Sequence, residues 1–220
     1  RYASVALSVQ GEIIVEMNWW SKQNHSIELV PAILELMRSH RVDMSRLEAL
    51  FVAGGPGGFS ALRVGMSTSK GLAVALDIPL VSVGTLDIEA RPYLGLLEIP
   101  VHAVIRAGRD KLYVGRYPRG IREVGPDCEV MTHDEVVSQI ETTTLFCGEG
   151  LRDISPMLRE LPDDMVKLAD SPSPTRRPSV LADIGYRRLR AGITDDPSML
   201  QPLYLRNSQM DVARRKLANN

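Results

Sequence analysis

Apolar and polar residues alternate along residues 2–10 (Tyr-Ala-Ser-Val-Ala-Leu-Ser-Val-Gln), the period of a strand with one covered face. Gly11 and Glu12 supply a turn, and residues 12–18 continue as the returning strand, so the chain is expected to open on a hairpin. Between residues 25 and 38 the apolar positions Ile27, Val30, Ile33, Leu34 and Met37 follow a 3.6-residue period. That predicts a helix, with Pro31 tolerated early in its course. Residues 47–53 read as a short buried strand broken by Gly-Gly-Pro-Gly-Gly at 54–58. A helix rich in Ser, Thr, Gly and Ala is expected over 62–76, a strand over 80–83, and the start of another helix at 85–90.

After a stretch containing Pro and Gly at 92–100 the pattern begins again. Residues 101–105 and 111–117 read as a second hairpin, and an extended piece at 128–131 leads into a helix over 133–140. A strand follows at 143–147, ended by Gly148-Glu149-Gly150. Pro-rich residues 171–178 read as a linker, 179–190 as an amphipathic helix closed by Gly192, 199–206 as an extended piece, and the remainder as a polar tail. Hairpin, helix, strand, helix, strand thus occurs once in full and once in shorter form. The fold class expected is α/β with two duplicated domains, residues 1–95 and 96–220.

The chain has 220 residues, 44% of them hydrophobic and 24% charged, enough for one full core or two smaller ones without disulfides. Lys and Arg number 26 against 27 Asp and Glu, a formal charge of −1, which argues against a dedicated nucleic-acid binder. The basic runs Arg187, Arg188, Arg190 and Arg214, Arg215, Lys216 read more simply as a solvated helix face and a charged tail than as an RNA contact. Cys128 and Cys147 form no CxxC motif and read as buried thiols of a reducing, cytoplasmic compartment. No apolar run approaches the roughly 18 residues of a membrane span.

The segment most suggestive of chemistry is the glycine-rich corner formed by Gly55, Pro56, Gly57, Gly58, Phe59, Ser60 and Arg63. A strand ending in glycines ahead of a helix can cradle a phosphate or carboxylate on free backbone N–H groups, with Arg63 as a bidentate partner. It can equally be a tight turn. The named motifs fail here: Ser69 stands where Walker A needs glycine before Lys70, and Ser60 and Leu62 break the dinucleotide and nucleophile-elbow patterns. His25, His40, His102 and His133 are too far apart to face one another across a helix turn, so no metal pair of that kind is encoded.

The run Gly-Pro-Gly-Gly-Phe-Ser-Ala-Leu-Arg-Val-Gly-Met-Ser-Thr-Ser-Lys-Gly-Leu-Ala at 55–73 resembles the signature GPGSFTGLRxGxxxAKGLA of the bacterial TsaB (YeaZ) family. Ser-Val-Ala-Leu at 4–7, Asn-His-Ser-Ile-Glu-Leu-Val-Pro at 24–31, Pro-Leu-Val-Ser-Val-Gly-Thr-Leu at 79–86 and Gln-Pro-Leu-Tyr-Leu-Arg at 201–206 extend the resemblance. Gly58, Ser60 and Ala61 depart from the signature, and Arg106-Ala-Gly-Arg109 replaces the family's Asp-Ala-Arg-Arg. The resemblance implies an actin-like, sugar-kinase and Hsp70-type (ASKHA) fold, with a first strand and its Asp-Thr-Ser turn expected ahead of Arg1. It implies a non-catalytic subunit supporting N6-threonylcarbamoyladenosine formation at position 37 of tRNA. Its partners would be a catalytic TsaD-type subunit and a small TsaE-type ATPase. A homodimer is expected when it is alone, with tRNA met only through the complex and ATP or ADP at the subunit boundary rather than tightly bound. The two helices would carry the subunit interface, with His25, Leu29, Ile33, Leu62, Met66, Ser69 and Ala73 as its candidate residues. The rival reading is an independent enzyme of the same fold, a phosphotransferase or a peptidase of the M22 glycoprotease type.

Overall fold

The structure is a computed structural model and describes residues 2–22, 24–121, 127–169 and 171–203. The element order is β1 (Tyr2–Val9), β2 (Glu12–Trp20), α1 (His25–Ser39), β3 (Leu50–Gly55), α2 (Phe59–Leu76), β4 (Leu80–Gly84) and α3 (Thr85–Ala90). It continues through β5 (Val101–Arg106), β6 (Lys111–Tyr117), β7 (Asp127–Thr132), α4 (His133–Ser138), β8 (Thr144–Cys147), α5 (Leu151–Leu158), β9 (Val166–Leu168) and α6 (Pro178–Arg190). Two compact units result, the first built from Arg1–Ile88 with Arg176–Pro202, the second from Glu89–Thr175. The expected boundary near residue 95 is therefore corrected: α6 belongs to the first unit. Its apolar residues Val180, Leu181, Ile184 and Leu189 pack against Phe51, Ala53, Val81 and Val83, and this burial outweighs proximity in sequence.

In the first unit β1 and β2 form an antiparallel ribbon with Tyr2 opposite Trp20, while β3 and β4 form a parallel pair with Leu50 opposite Leu80. Side chains of β3 alternate between two layers, as the strand period dictates. Leu50 and Val52 pack with Met66 and Ala73 of α2, whereas Phe51 and Ala53 face α6. Helix α6 touches β2, β1, β3 and β4, so both ribbons lie under one helix. Helices α1 and α2 pack together on the other side, α1 over β1 and β2 and α2 over β3 and β4. Trp19 fixes α1 to the ribbon, its indole N–H donating to Glu28 Oε2 at 2.9 Å.

The second unit carries one five-stranded mixed sheet in the order β7-β6-β5-β8-β9. Strand β5 is antiparallel to β6 and parallel to β8. Covered on both faces, it is apolar apart from His102 and the terminal Arg106, with Val101, Ala103, Val104 and Ile105 buried. One core unites Val104, Leu112, Val114, Phe146, Ile154 and Leu158. Helix α4 opens on a capping box, Thr132 accepting from the Glu135 N–H and Glu135 accepting from the Thr132 N–H. The first unit repeats this plan from its hairpin onward; among the described residues no strand stands between β1 and β3 in the place that β5 fills.

Other departures from the sequence pattern are local. Helix α2 begins at Phe59 rather than at 62, because Gly58 serves as its N-cap. Strand β3 begins at Leu50 rather than at 47, since a short 3-10 turn occupies Met44–Arg46. Met199 lies in a turn, not an extended piece. Residues 204–206, the tail and the run Arg214, Arg215, Lys216 lie outside the described residues. Cys147 is buried, and Cys128 is only half-buried.

Candidate functional site

The glycine corner forms where β3 ends and α2 begins. Gly55 closes the strand at φ +107, a conformation open to glycine, and is buried together with Pro56. Gly58, Phe59 and Ser60 emerge at the surface as the helix starts. Arg63, one turn into α2, lays its guanidinium 3.8 Å from the centroid of the Phe59 ring, a cation–π contact on an exposed face. Arg176, from the segment leading into α6, approaches the same loop, its Nη1 lying 3.8 Å from where a Cβ on Gly57 would stand. Nothing in the sequence pattern points to that neighbour, which is remote along the chain. The corner thus gathers all seven expected residues, Arg63 among them, and adds Arg176. It contains no Asp, Glu, His or Cys, so the chemistry within residues 54–63 is that of cations and backbone N–H groups.

The interface candidates divide by depth. Met66 and Ala73 belong to the core beneath α2, and Leu62 is buried beside them. Leu29, Ile33 and Ser69 are half-buried, as is His25 in the first turn of α1. The apolar residues that face outward are others: Ile27 (69% exposed), Val30 (46%) and Leu34 (55%) on α1, and Val74 (71%) on α2. Ile27, Val30 and Leu34 stand at i, i+3 and i+7, a stripe along one helix face. On α2, Ala61, Ser67, Gly71 and Ala75 are exposed as well, a surface of small side chains that a second helix can approach closely. The signal was present in the sequence. The apolar positions of α1 cover more of its circumference than the ribbon beneath can bury, as Leu36 and Met37 already point inward.

The charged groups around these helices serve structure. Hydrogen bonds from Ser21 and Trp19 hold the Glu28 carboxyl below the usual carboxylate range. Lys70 donates to the Leu200 carbonyl at 2.9 Å and ties the last described segment to α2. Among the described residues no three His, Cys, Asp or Glu side chains cluster as metal ligands. None of the described helices is long and apolar enough to cross a membrane.

Two α/β units with duplicated strand and helix order, the second holding a complete mixed sheet, define a protein of the actin-like ASKHA class. A solved YeaZ structure from Pseudomonas aeruginosa superposes with a TM-score of 0.74 over 93% of this chain and 94% of that one, at 24% identity, which establishes the fold. Residues 20–154 match the family model described as "TsaD: tRNA N6-adenosine threonylcarbamoyltransferase". The tRNA threonylcarbamoyladenosine biosynthesis protein TsaB of Bacillus subtilis is 29% identical over 94% of this chain and 91% of its own length. TsaB of Haemophilus influenzae is 29% identical over 53% of this chain and 49% of its own. The chain belongs to this family, within its TsaB (YeaZ) group.

Proposed function

We propose that this chain serves threonylcarbamoyladenosine formation on tRNA as a non-catalytic subunit that docks the catalytic threonylcarbamoyltransferase on the outward face of α1 and α2. The observation that carries the reading is the exposed stripe of Ile27, Val30 and Leu34 beside the small-residue surface of α2. Scattered exposed apolar residues need no explanation, but three in a stripe along α1, with a fourth on the adjoining α2, are the kind of apolar surface that marks an interface. TsaB relatives named for this pathway supply the pathway. Support for the non-catalytic role comes from the sequence itself, which places no histidine pair at helical spacing and no Asp, Glu, His or Cys in the glycine corner to serve as acid or as base for Ser60. The same patch would pair with itself across a twofold axis when the chain is alone, and the ATPase subunit would join the assembled complex.

Size-exclusion chromatography with light scattering, on the chain alone and mixed with the catalytic subunit of the same organism, tests this. The expected result is a homodimer that converts to a mixed complex, and loss of both with Leu34→Glu, a substitution at an exposed site that leaves the core intact. A monomer that ignores the catalytic subunit, or a Leu34→Glu variant that still binds it with unchanged affinity, overturns the reading.

A further inference from the structure

The second unit contains a groove at the carboxyl ends of the parallel strands β8 and β9, between Gly148, Ala169 and the first two turns of α5. This end of a parallel sheet is where ligands settle in α/β proteins, because strand ends and helix starts converge there. Gly148 is held at φ +101 with the Val104 backbone packed against it, so no side chain can fill the floor at that point. Arg152 and Ser155 on α5 and Arg159 at its C-cap stand at i, i+3 and i+7 and line the groove together. The two arginines therefore stand on either side of Ser155 in the chain, at backbone positions about 10 Å apart along the helix axis. Ser173 lines the groove as well.

The state of the polar groups around the groove separates the committed from the uncommitted. Ser171 Oγ is 2.5 Å from the Tyr93 hydroxyl, and Thr175 donates to Glu89 Oε1 at 2.8 Å. Asp153 binds Arg106, which also feels the charge of Glu149. Glu149 lines the groove too, and its charge acts on Arg106 together with that of Asp153. Arg152, Ser155, Arg159 and Ser173 have no side-chain hydrogen bond or ion pair to another described residue. Two arginines with no ion pair to another described residue, and two hydroxyls with no hydrogen bond to one, outnumber the single carboxylate of Glu149 on this concave surface and form an anion-binding set. Their combined donors exceed what the two oxygens of a carboxylate can accept and suit the three terminal oxygens of a phosphate.

We propose that this groove binds the phosphate group of a small phosphate monoester, with Arg152 and Arg159 as its clamp and Ser155 and Ser173 as hydroxyl donors. The proposal is independent of the α1 and α2 surface. It is tested by amide NMR titration of the full chain with inorganic phosphate, with ribose 5-phosphate, and with ribose as the uncharged control. The Gly148, Gly150 and Ser155 amides are expected to shift saturably with both phosphates and not with ribose. Arg152→Gln and Arg159→Gln should each weaken binding by at least about tenfold, and the double variant should abolish it. Both arginines are exposed, and unchanged β5 resonances will show that the variants keep the fold. Tighter binding of ribose 5-phosphate than of phosphate identifies a phosphorylated metabolite as the ligand, and equal binding identifies free phosphate. No saturable shift up to about 10 mM, an unaltered titration in the double variant, or a shift with ribose equal to that with its phosphate overturns the proposal.

Discussion

His102 on β5 has Arg116 on β6 as its cross-strand neighbour and Phe146 on β8 as the other, the two rings edge to face with centroids 5.2 Å apart. Burial first, and the Arg116 charge second, push its pKa from 6.5 down to about 4. The folded state therefore holds the imidazole neutral where the unfolded chain would protonate it. Stability from this site is complete above pH 6.5 and drains away as the pH falls toward 4, by up to about 3 kcal/mol. Urea unfolding at pH 7 and pH 4.5 should show this loss, and His102→Phe should lose less over the same interval. A variant with the same pH dependence as the parent would remove His102 as the cause. Glycines make a second test at this scale. A Cβ on Gly185 of α6 would stand 2.5 Å from a Phe51 ring carbon, whereas one on Gly71 of α2 would meet nothing within 4 Å. Gly185→Ala should cost about 1–3 kcal/mol despite alanine's better helix propensity, and Gly71→Ala should be neutral or stabilise by up to about 1 kcal/mol. Chemical denaturation of the two variants decides it. Both glycines interrupt a helical pattern in the sequence in the same way, and only the neighbour across the packing distinguishes them.

Elements with a long hydrophobic period were legible; elements defined by their neighbours were not. Helices α1, α2 and α6 and the two hairpins followed from spacing alone, because each has one face to bury. Helix α5 escaped because it is eight residues long, holds Pro156, and follows Gly148-Glu149-Gly150, which read as the end of a strand. Its apolar residues Leu151, Ile154 and Leu158 are nevertheless a helical set buried in the second core. Strand β9, three residues long, is too short for any period to show and exists through its pairing with β8. Which residues of these helices face out was half legible: the amphipathic pattern identified the helices, but only the packing shows Met66 and Ala73 turned inward and Ile27 and Leu34 turned outward. The strand environments carry their own prediction. Strand β5 is paired on both sides, while β1 and β3 each pair on one side among the described residues. Hydrogen exchange should find the β5 amides protected to near the global unfolding limit and half of those in β1 exchanging much faster. Equal protection in the two strands would contradict the pairing seen here.

The chain leaves its first unit after Ile88 and returns to it at Arg176, so the two units differ in how they can fold as fragments. The second draws its sheet and its core from one continuous stretch, Glu89 to Thr175. The first depends on α6 from the far end of the chain. That helix covers Phe51, Val81 and Val83, and Arg188 anchors it by donating to the Ser82 carbonyl at 2.8 Å. The following segment adds Asp195, whose carboxylate accepts from the Ser82 N–H at 2.6 Å. Removing α6 strips one face of β3 and β4 and leaves those strands exposed to water, a loss larger than the margin by which small domains are stable. A fragment of residues 89–175 is therefore expected to unfold cooperatively in urea as measured by circular dichroism. A fragment of residues 1–95, cut where the sequence pattern alone would cut it, is expected to lack a cooperative transition. Joining residues 176–203 to 1–88 through a flexible linker should restore that transition. If residues 1–95 fold cooperatively without α6, the helix is an accessory covering and the boundary belongs where the sequence pattern put it.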